Sequence, residues 1–205
     1  MADTHTLPLF PLQNTVLVPG AAVDLRIFER RYLGMVSECG RNGSGFGICL
    51  ILEGNEVGSP ATPAAFGTEA VIEDFGTTPE GLLLLRVRGH RRFHVVRTRV
   101  RDSGLVMGDI EFCEEDTTMP RLRPQHALLA ELLRRILEQV VDASAEPESA
   151  RFEDAAWVGW RLAELLPVSQ AQRQALLQLD DPHARLQLLL DGIADDQDQQ
   201  DVGDA

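Results

Sequence analysis

Seven arginines fall between residues 86 and 101: Arg86, Arg88, Arg91, Arg92, Arg97, Arg99 and Arg101. Strand alternation puts Arg97, Arg99 and Arg101 on one face. A guanidinium row with Phe93 and His94 beside it suits phosphate backbones or stacked bases. It suits carboxylates equally, and these are in surplus: 32 Asp and Glu against 19 basic residues, a net charge of −13. So acidic a chain repels nucleic acid and anionic membranes as a whole. The first reading of the row is therefore an exposed strand face neutralised by carboxylates. An acidic peptide and RNA, held by Arg97, Arg99 and Arg101, are the alternatives.

Other chemistry is thinly represented. All 19 basic residues are arginine. Without lysine the chain contains no phosphate-loop lysine, no Schiff base and no serine–lysine dyad. The five histidines, His5, His90, His94, His126 and His183, form no HExxH pair. His90 and His94 lie in a strand region, where an offset of four spans ~13 Å. Gly43-Ser44-Gly45 has Asn42 where a nucleophile elbow needs glycine, and it lies between a helix and a strand, the reverse of that motif's order. Glu73-Asp74 and Glu114-Glu115-Asp116 read as solvated charge at strand ends. Cys39, Cys49 and Cys113 are too widely spaced for a metal knuckle or redox motif, and read as reduced thiols in or near a core. No catalytic residue, metal site or cofactor is expected.

Exposed apolar groups are the remaining tool. Phe10, Phe28, Tyr32 and Phe66 lie near expected loops or strand ends, and the Gly89–Arg92 turn adds Arg91 and Arg92. Residues 53–65, with two glycines and two prolines, read as an exposed loop long enough to form a binding lip.

These residues need a scaffold. Residues 7–20 are too apolar for a tail and too rich in proline for a helix. They read as a first strand that turns and leaves as a second. A strand over 22–28, a helix over 29–41 stopped by Asn42-Gly43, and a buried strand over 45–52 follow. Strands over 66–75, 82–88, 92–101 and 105–113 complete a β part, with Gly89-His90 breaking the run between the second and third of these. Five to seven strands plus one helix indicate an α+β fold with a small barrel-like sheet.

Beyond about residue 118 the pattern is helical: 125–141, 151–166, a segment capped by Ser169 with Gln172, and one opened by Asp181-Pro182. These should form a bundle over 119–195. From Asp191 on there are six aspartates and no basic residue, so 196–205 reads as a disordered acidic tail. No apolar run spans a bilayer and no signal segment is seen, which makes the cytoplasm the expected location.

Several separated stretches resemble the Lon protease N-terminal (substrate-binding) domain family. They are Leu7-Pro8-Leu9-Phe10-Pro11-Leu12 with Asn14-Thr15-Val16-Leu17-Val18-Pro19-Gly20, the 22–32 segment ending in Glu29-Arg30-Arg31-Tyr32, Gly67-Thr68-Glu69-Ala70, and Arg88-Gly89-His90-Arg91-Arg92-Phe93. Residues 160–167 and 177–185 are similar to the helical part of stand-alone bacterial members. The resemblance implies a PUA-like pseudo-barrel followed by a helical bundle, and a role in engaging unfolded or damaged polypeptide. The full proteases add an ATPase module and a serine–lysine protease domain. With no lysine present, a stand-alone member lacking both is expected. The leading expectation is a non-catalytic peptide-binding module, an adaptor or recognition factor in proteolysis or protein quality control. An RNA-binding module and a small-molecule-binding protein or enzyme, with a pocket between barrel and bundle, are the alternatives.

Overall fold

The computed structural model describes residues 3–114, 120–140 and 147–203, with side chains described as far as Ile193. The chain divides into two compact units, Met1–Cys113 and Glu114–Ala205.

The first unit is built on β1 (Thr4–Leu12), which carries Pro8 and Pro11. Its first half pairs antiparallel with β6 (Val106–Phe112), from Thr4↔Glu111 to Pro8↔Met107. Its second half pairs parallel with β3 (Phe46–Glu53), from Leu9↔Gly47 to Leu12↔Leu50. Each half therefore has one ladder partner and one open side, a setting in which a residue without an N–H is tolerated. β3 pairs with β4 (Thr62–Thr77), β4 with β5 (Leu83–Val100), and β5 with β6, which closes a ring of five strands. β2 (Ala22–Ile27) lies outside the ring, antiparallel to β5. With α1 (Arg30–Asn42), this is the expected α+β pseudo-barrel. Inside it Leu7, Leu9, Cys49, Phe93, Val106 and Ile110 pack as one cluster. Phe93 fits because two wall positions are glycine: a Cβ on Gly47 or Gly67 would lie 2.6 Å from its Cζ.

Three sequence expectations change here. Residues 14–20 do not form a second strand. Pro19 lacks a donor and Gly20 turns at φ 82°, so the segment runs irregularly, yet Val16, Leu17 and Val18 are buried. Two of its carbonyls are bonded individually: Thr68 Oγ1 donates to Leu17 O at 2.6 Å, and Ala21 N to Val18 O at 3.1 Å. Nor does Gly89-His90 break the run; β5 continues through it for 18 residues. Gly89 is required by close approach, because a Cβ there would sit 2.3 Å from Val18 O. The loop after β3 is shorter than expected, since β4 starts at Thr62 and pairs Pro63 with Ile51.

The second unit contains α2 (Ala127–Val140), α3 (Ala155–Leu165), α4 (Gln170–Gln178) and α5 (Pro182–Gly203). α2 buries Leu129, Ala130, Leu133 and Leu137, one stripe at helical spacing. The helix expected over 151–166 is split. Ser149–Glu153 is a 3-10 turn, and Asp154 restarts the chain as α3 by accepting from the N–H groups of Ala156 and Trp157. The Ser169–Gln172 capping box forms in both directions, and Asp181 Oδ1 accepts from His183 N at 2.9 Å. α5 runs into the stretch read as an acidic tail, whose side chains and last two residues lie outside the described residues. No helix among the described residues is long and apolar enough to cross a membrane.

Candidate functional site

The corner between β2 and α1 concentrates the apolar candidates. Alternation along β2 turns Leu25 and Ile27 inward, and Phe28 follows at the corner, 54% exposed. Glu29 holds the N-cap position but its carboxylate does not cap the helix; it is drawn to Arg31 Nη2 at 3.0 Å. Tyr32, one residue on, is buried and meets Phe10 edge-on at 4.2 Å between centroids. Phe10 meets Phe46 in the same way at 6.1 Å. Phe10, Arg26, Ile27, Phe28, Glu29, Tyr32, Glu56 and Val57 line a cleft of about 20 Å³, with Val57 56% exposed. Three of the nominated residues therefore meet: Phe10 and Tyr32 as floor, Phe28 as rim.

Arg31 fixes this arrangement. Its side chain is 6% exposed, and its guanidinium lies 4.6 Å from the centre of the Tyr32 ring. Nη1 donates to Gly104 O and Nη2 to Glu56 O, both at 3.2 Å. One side chain thus ties the helix to the 54–58 loop and to the β5–β6 turn. Gln13 holds the loop from the other side, its N–H donating to Glu56 Oε2 at 3.3 Å and Nε2 to Asn55 Oδ1 at 3.3 Å. The sequence reading missed Arg31. The signal is its spacing: positions 31, 35 and 39 fall on one helix face, and Met35 and Cys39 are apolar.

Burial pushes the Tyr32 hydroxyl up to about 12, against the pull of the neighbouring Arg31, so it keeps its proton at neutral pH. Burial also pushes the Cys49 thiol up to about 12 and raises that of Cys39. The described residues contain no group of three or more His, Cys, Asp and Glu able to hold a metal. The cleft itself has room for a water or two and is far below the ~300 Å³ of a small-molecule site.

Phe66, Arg91 and Arg92 lie outside the cleft. Phe66 is half-buried and packs on His94 at 5.0 Å. Arg91 lies 3.5 Å from the centre of the Phe112 ring and donates to Glu69 Oε2 at 3.1 Å, an oxygen 3.2 Å from His90 Nδ1. Arg92, opposite Thr68, is 2% exposed, so its side chain is buried in the β unit and not presented to solvent.

The arginine row is matched by carboxylates. Arg97 and Arg99 both bond Asp109, at 2.9 and 2.8 Å, and Arg101 bonds Glu38 at 2.8 Å. Arg88 bonds Glu73, and Arg86 lies 3.3 Å from Asp24. The hydrogen bond from Arg97, then that from Thr6, holds the Asp109 carboxyl below its ordinary range. The bond from Arg101 does the same for Glu38. Glu73 and Asp74 stand within β4 rather than at its end, and Asp74 Oδ1 accepts the Phe75 N–H at 2.8 Å.

Comparison with known proteins places this geometry. A crystal structure of a Lon N-terminal domain protein from Xanthomonas campestris is 54% identical, covers 91% of this chain and 97% of that one, and superposes with a TM-score of 0.77. The N-terminal domain of Mycobacterium avium complex Lon protease shares the fold at 19% identity, with a TM-score of 0.66 over 91% of this chain and 97% of that one. Lon protease 2 of Myxococcus xanthus is 24% identical and Lon protease 3 of Sorangium cellulosum 23% identical, over 91% and 90% of this chain. The chain spans only 23% of the length of each of these two curated relatives. The model of the ATP-dependent protease La (LON) substrate-binding domain matches residues 6–195, and the chain belongs to that family.

Proposed function

We propose that the chain is a non-catalytic polypeptide-binding module. It takes apolar stretches of unfolded or damaged protein across the Phe28 corner, as a recognition factor in cytoplasmic proteolysis. The observation that carries this reading is the pairing of two large apolar groups, Phe28 at 54% and Val57 at 56% exposure, over a fixed aromatic floor. Apolar groups clustered in solvent mark interaction surfaces. The floor is held by Arg31 and its three anchors, so a bound segment meets a preformed surface and little ordering opposes binding. The cleft is too small to enclose a ligand, which suits a chain lying across its rim. Membership of the substrate-binding domain family supports the partner class.

Fluorescence anisotropy with a labelled peptide rich in Leu and Phe tests the reading, with a Ser/Gly-rich peptide as control. Selective binding of the apolar peptide is expected, weakened about tenfold by Phe28→Ala, the loss typical of an interface anchor. Equal binding of both peptides, or no change in Phe28→Ala, overturns it.

A further inference from the structure

Two imidazoles in the helical unit stack on each other. His126 comes from the 3-10 turn that opens α2, and His183 from the first turn of α5; their centroids are 5.7 Å apart and their planes 19° from parallel. His126 is 1% exposed. Its Nε2 lies 3.4 Å from Gln187 Oε1, and the Gln187 amide is oriented by its own bond from Nε2 to Asp191 Oδ1 at 2.8 Å. An oxygen therefore faces His126, which assigns the ring proton to Nε2 and leaves Nδ1 a bare lone pair. Nδ1 of His126 and Nδ1 of His183 are both buried with no hydrogen-bond partner. The in-plane directions of two near-parallel stacked rings do not converge on one point, and no group of three or more His, Cys, Asp and Glu able to hold a metal exists among the described residues, so chelation of a metal does not explain them.

We propose that the His126–His183 stack is an acid-sensitive latch, holding the start of α5 to the turn before α2 while both rings are neutral and releasing it when either ring takes a proton. A proton on either Nδ1 creates a buried N–H with no acceptor. It also sets a cation against the other imidazole. The charged groups around the pair are Arg123, just ahead of the His126 turn, and Asp181, which caps α5. Burial first, then Arg123, lowers the proton affinity of His183; Asp181 opposes them and His126 adds to them. A histidine whose folded value is lowered stabilises the fold above its unfolded value, ~6.5, and loses that contribution as pH falls. Each proton taken up on opening raises the open fraction up to about tenfold per pH unit. Carboxylates titrate near 4, below this window.

Trp157 and Trp160 are the only tryptophans, and both lie in the helical unit, so the intrinsic fluorescence of the full chain reports on that unit. The urea midpoint is measured in the wild type and in the double variant His126→Phe/His183→Phe, which keeps stacked rings without titratable nitrogens. A midpoint that falls from pH 7.5 to 5.5 in the wild type and stays flat in the variant is expected. An equal fall in both, or none in the wild type, overturns the proposal. Should the variant not fold, NMR titration of the wild-type imidazoles decides: His183 must take its proton below a blocked histidine in the same buffer, and if it follows that reference, the latch is excluded.

Discussion

The guanidinium of Arg185 lies 3.5 Å from the centre of the Trp160 ring, and Arg185 is 2% exposed. Its Nη2 donates to Leu179 O at 2.6 Å and its Nε to Leu176 O at 3.4 Å. These are carbonyls at the C-terminal end of α4, where the regular helical ladder stops; Leu176 O also accepts the Leu179 N–H at 3.3 Å. A residue of α5 thus finishes α4 and stacks on α3. Arg185→Met keeps much of the volume but removes both donated bonds and the stacked cation. A loss of about 3 kcal/mol is expected, read by tryptophan-monitored urea unfolding. Arg185→Lys should recover only part of it, since an ammonium cannot stack and fork at once.

Phe28 and Tyr32 are four residues apart but should separate binding from stability. Phe28→Ala removes a largely exposed ring and should change stability by no more than about 0.5 kcal/mol. Tyr32→Ala opens a cavity beneath Phe10 and should cost about 3 kcal/mol or more. Thermal unfolding of both variants checks this.

Gly89 and Gly76 both lie in long strands with opposite surroundings. A methyl group at Gly76 meets nothing within 4 Å, whereas one at Gly89 meets Val18 O at 2.3 Å. Backbone cannot swing aside like a side-chain tip. Gly89→Ala should destabilise by about 2 kcal/mol or more, and Gly76→Ala should be close to neutral. Parallel denaturation curves test the pair.

Asp109 neutralises two guanidinium groups, so Asp109→Asn should free Arg97 and Arg99 and lengthen retention on heparin resin at low salt. Unchanged retention contradicts the match described above. The pH dependence has a definite sign. The folded carboxyl titrates below the unfolded one, so its contribution is complete above ~4 and is lost as pH falls through the lower folded value.

Thiol reactivity should divide the cysteines. Cys39 and Cys49 are buried with raised thiol values, while Cys113 is only half-buried. With Ellman's reagent at pH 8, one thiol of three should react quickly in the native protein and all three in denaturant.

Much of the architecture was legible because local rules agreed with it. The apolar face of α1, the Asn42-Gly43 stop with Gly43 at φ 63°, the Ser169–Gln172 box and Asp181-Pro182 all stand where spacing put them. Two of the misreadings share one physical cause. Pro19-Gly20 and Gly89 were read by local propensity, but each answers to a contact distant in sequence: Gly89 N donates to Ala21 O at 2.8 Å, and Gly20 N to Gly89 O at 2.9 Å. Propensity does not see a backbone 69 residues away. The site behaves alike. Phe28 was legible as an aromatic at a strand end, and the alternation of Arg97, Arg99 and Arg101 was legible as a face. That Asp109 would meet two of those arginines, or that Arg31 would reach both Glu56 and Gly104, depends on how the ring closes.

The closure of that ring also sets an order in time. β1 is translated first, yet its first residues pair with the last strand of the unit: Thr4 opposite Glu111 and Leu7 opposite Gly108. On a ribosome adding ~5–20 residues per second, the opening segment waits several seconds or more for its partner to emerge. Until then the ladder groups of its first half are open to chaperones and to other nascent chains. Such long-range pairing is also intrinsically slow to form. The β unit therefore cannot close from its beginning; the first half of its first strand is paired only when its last strand arrives.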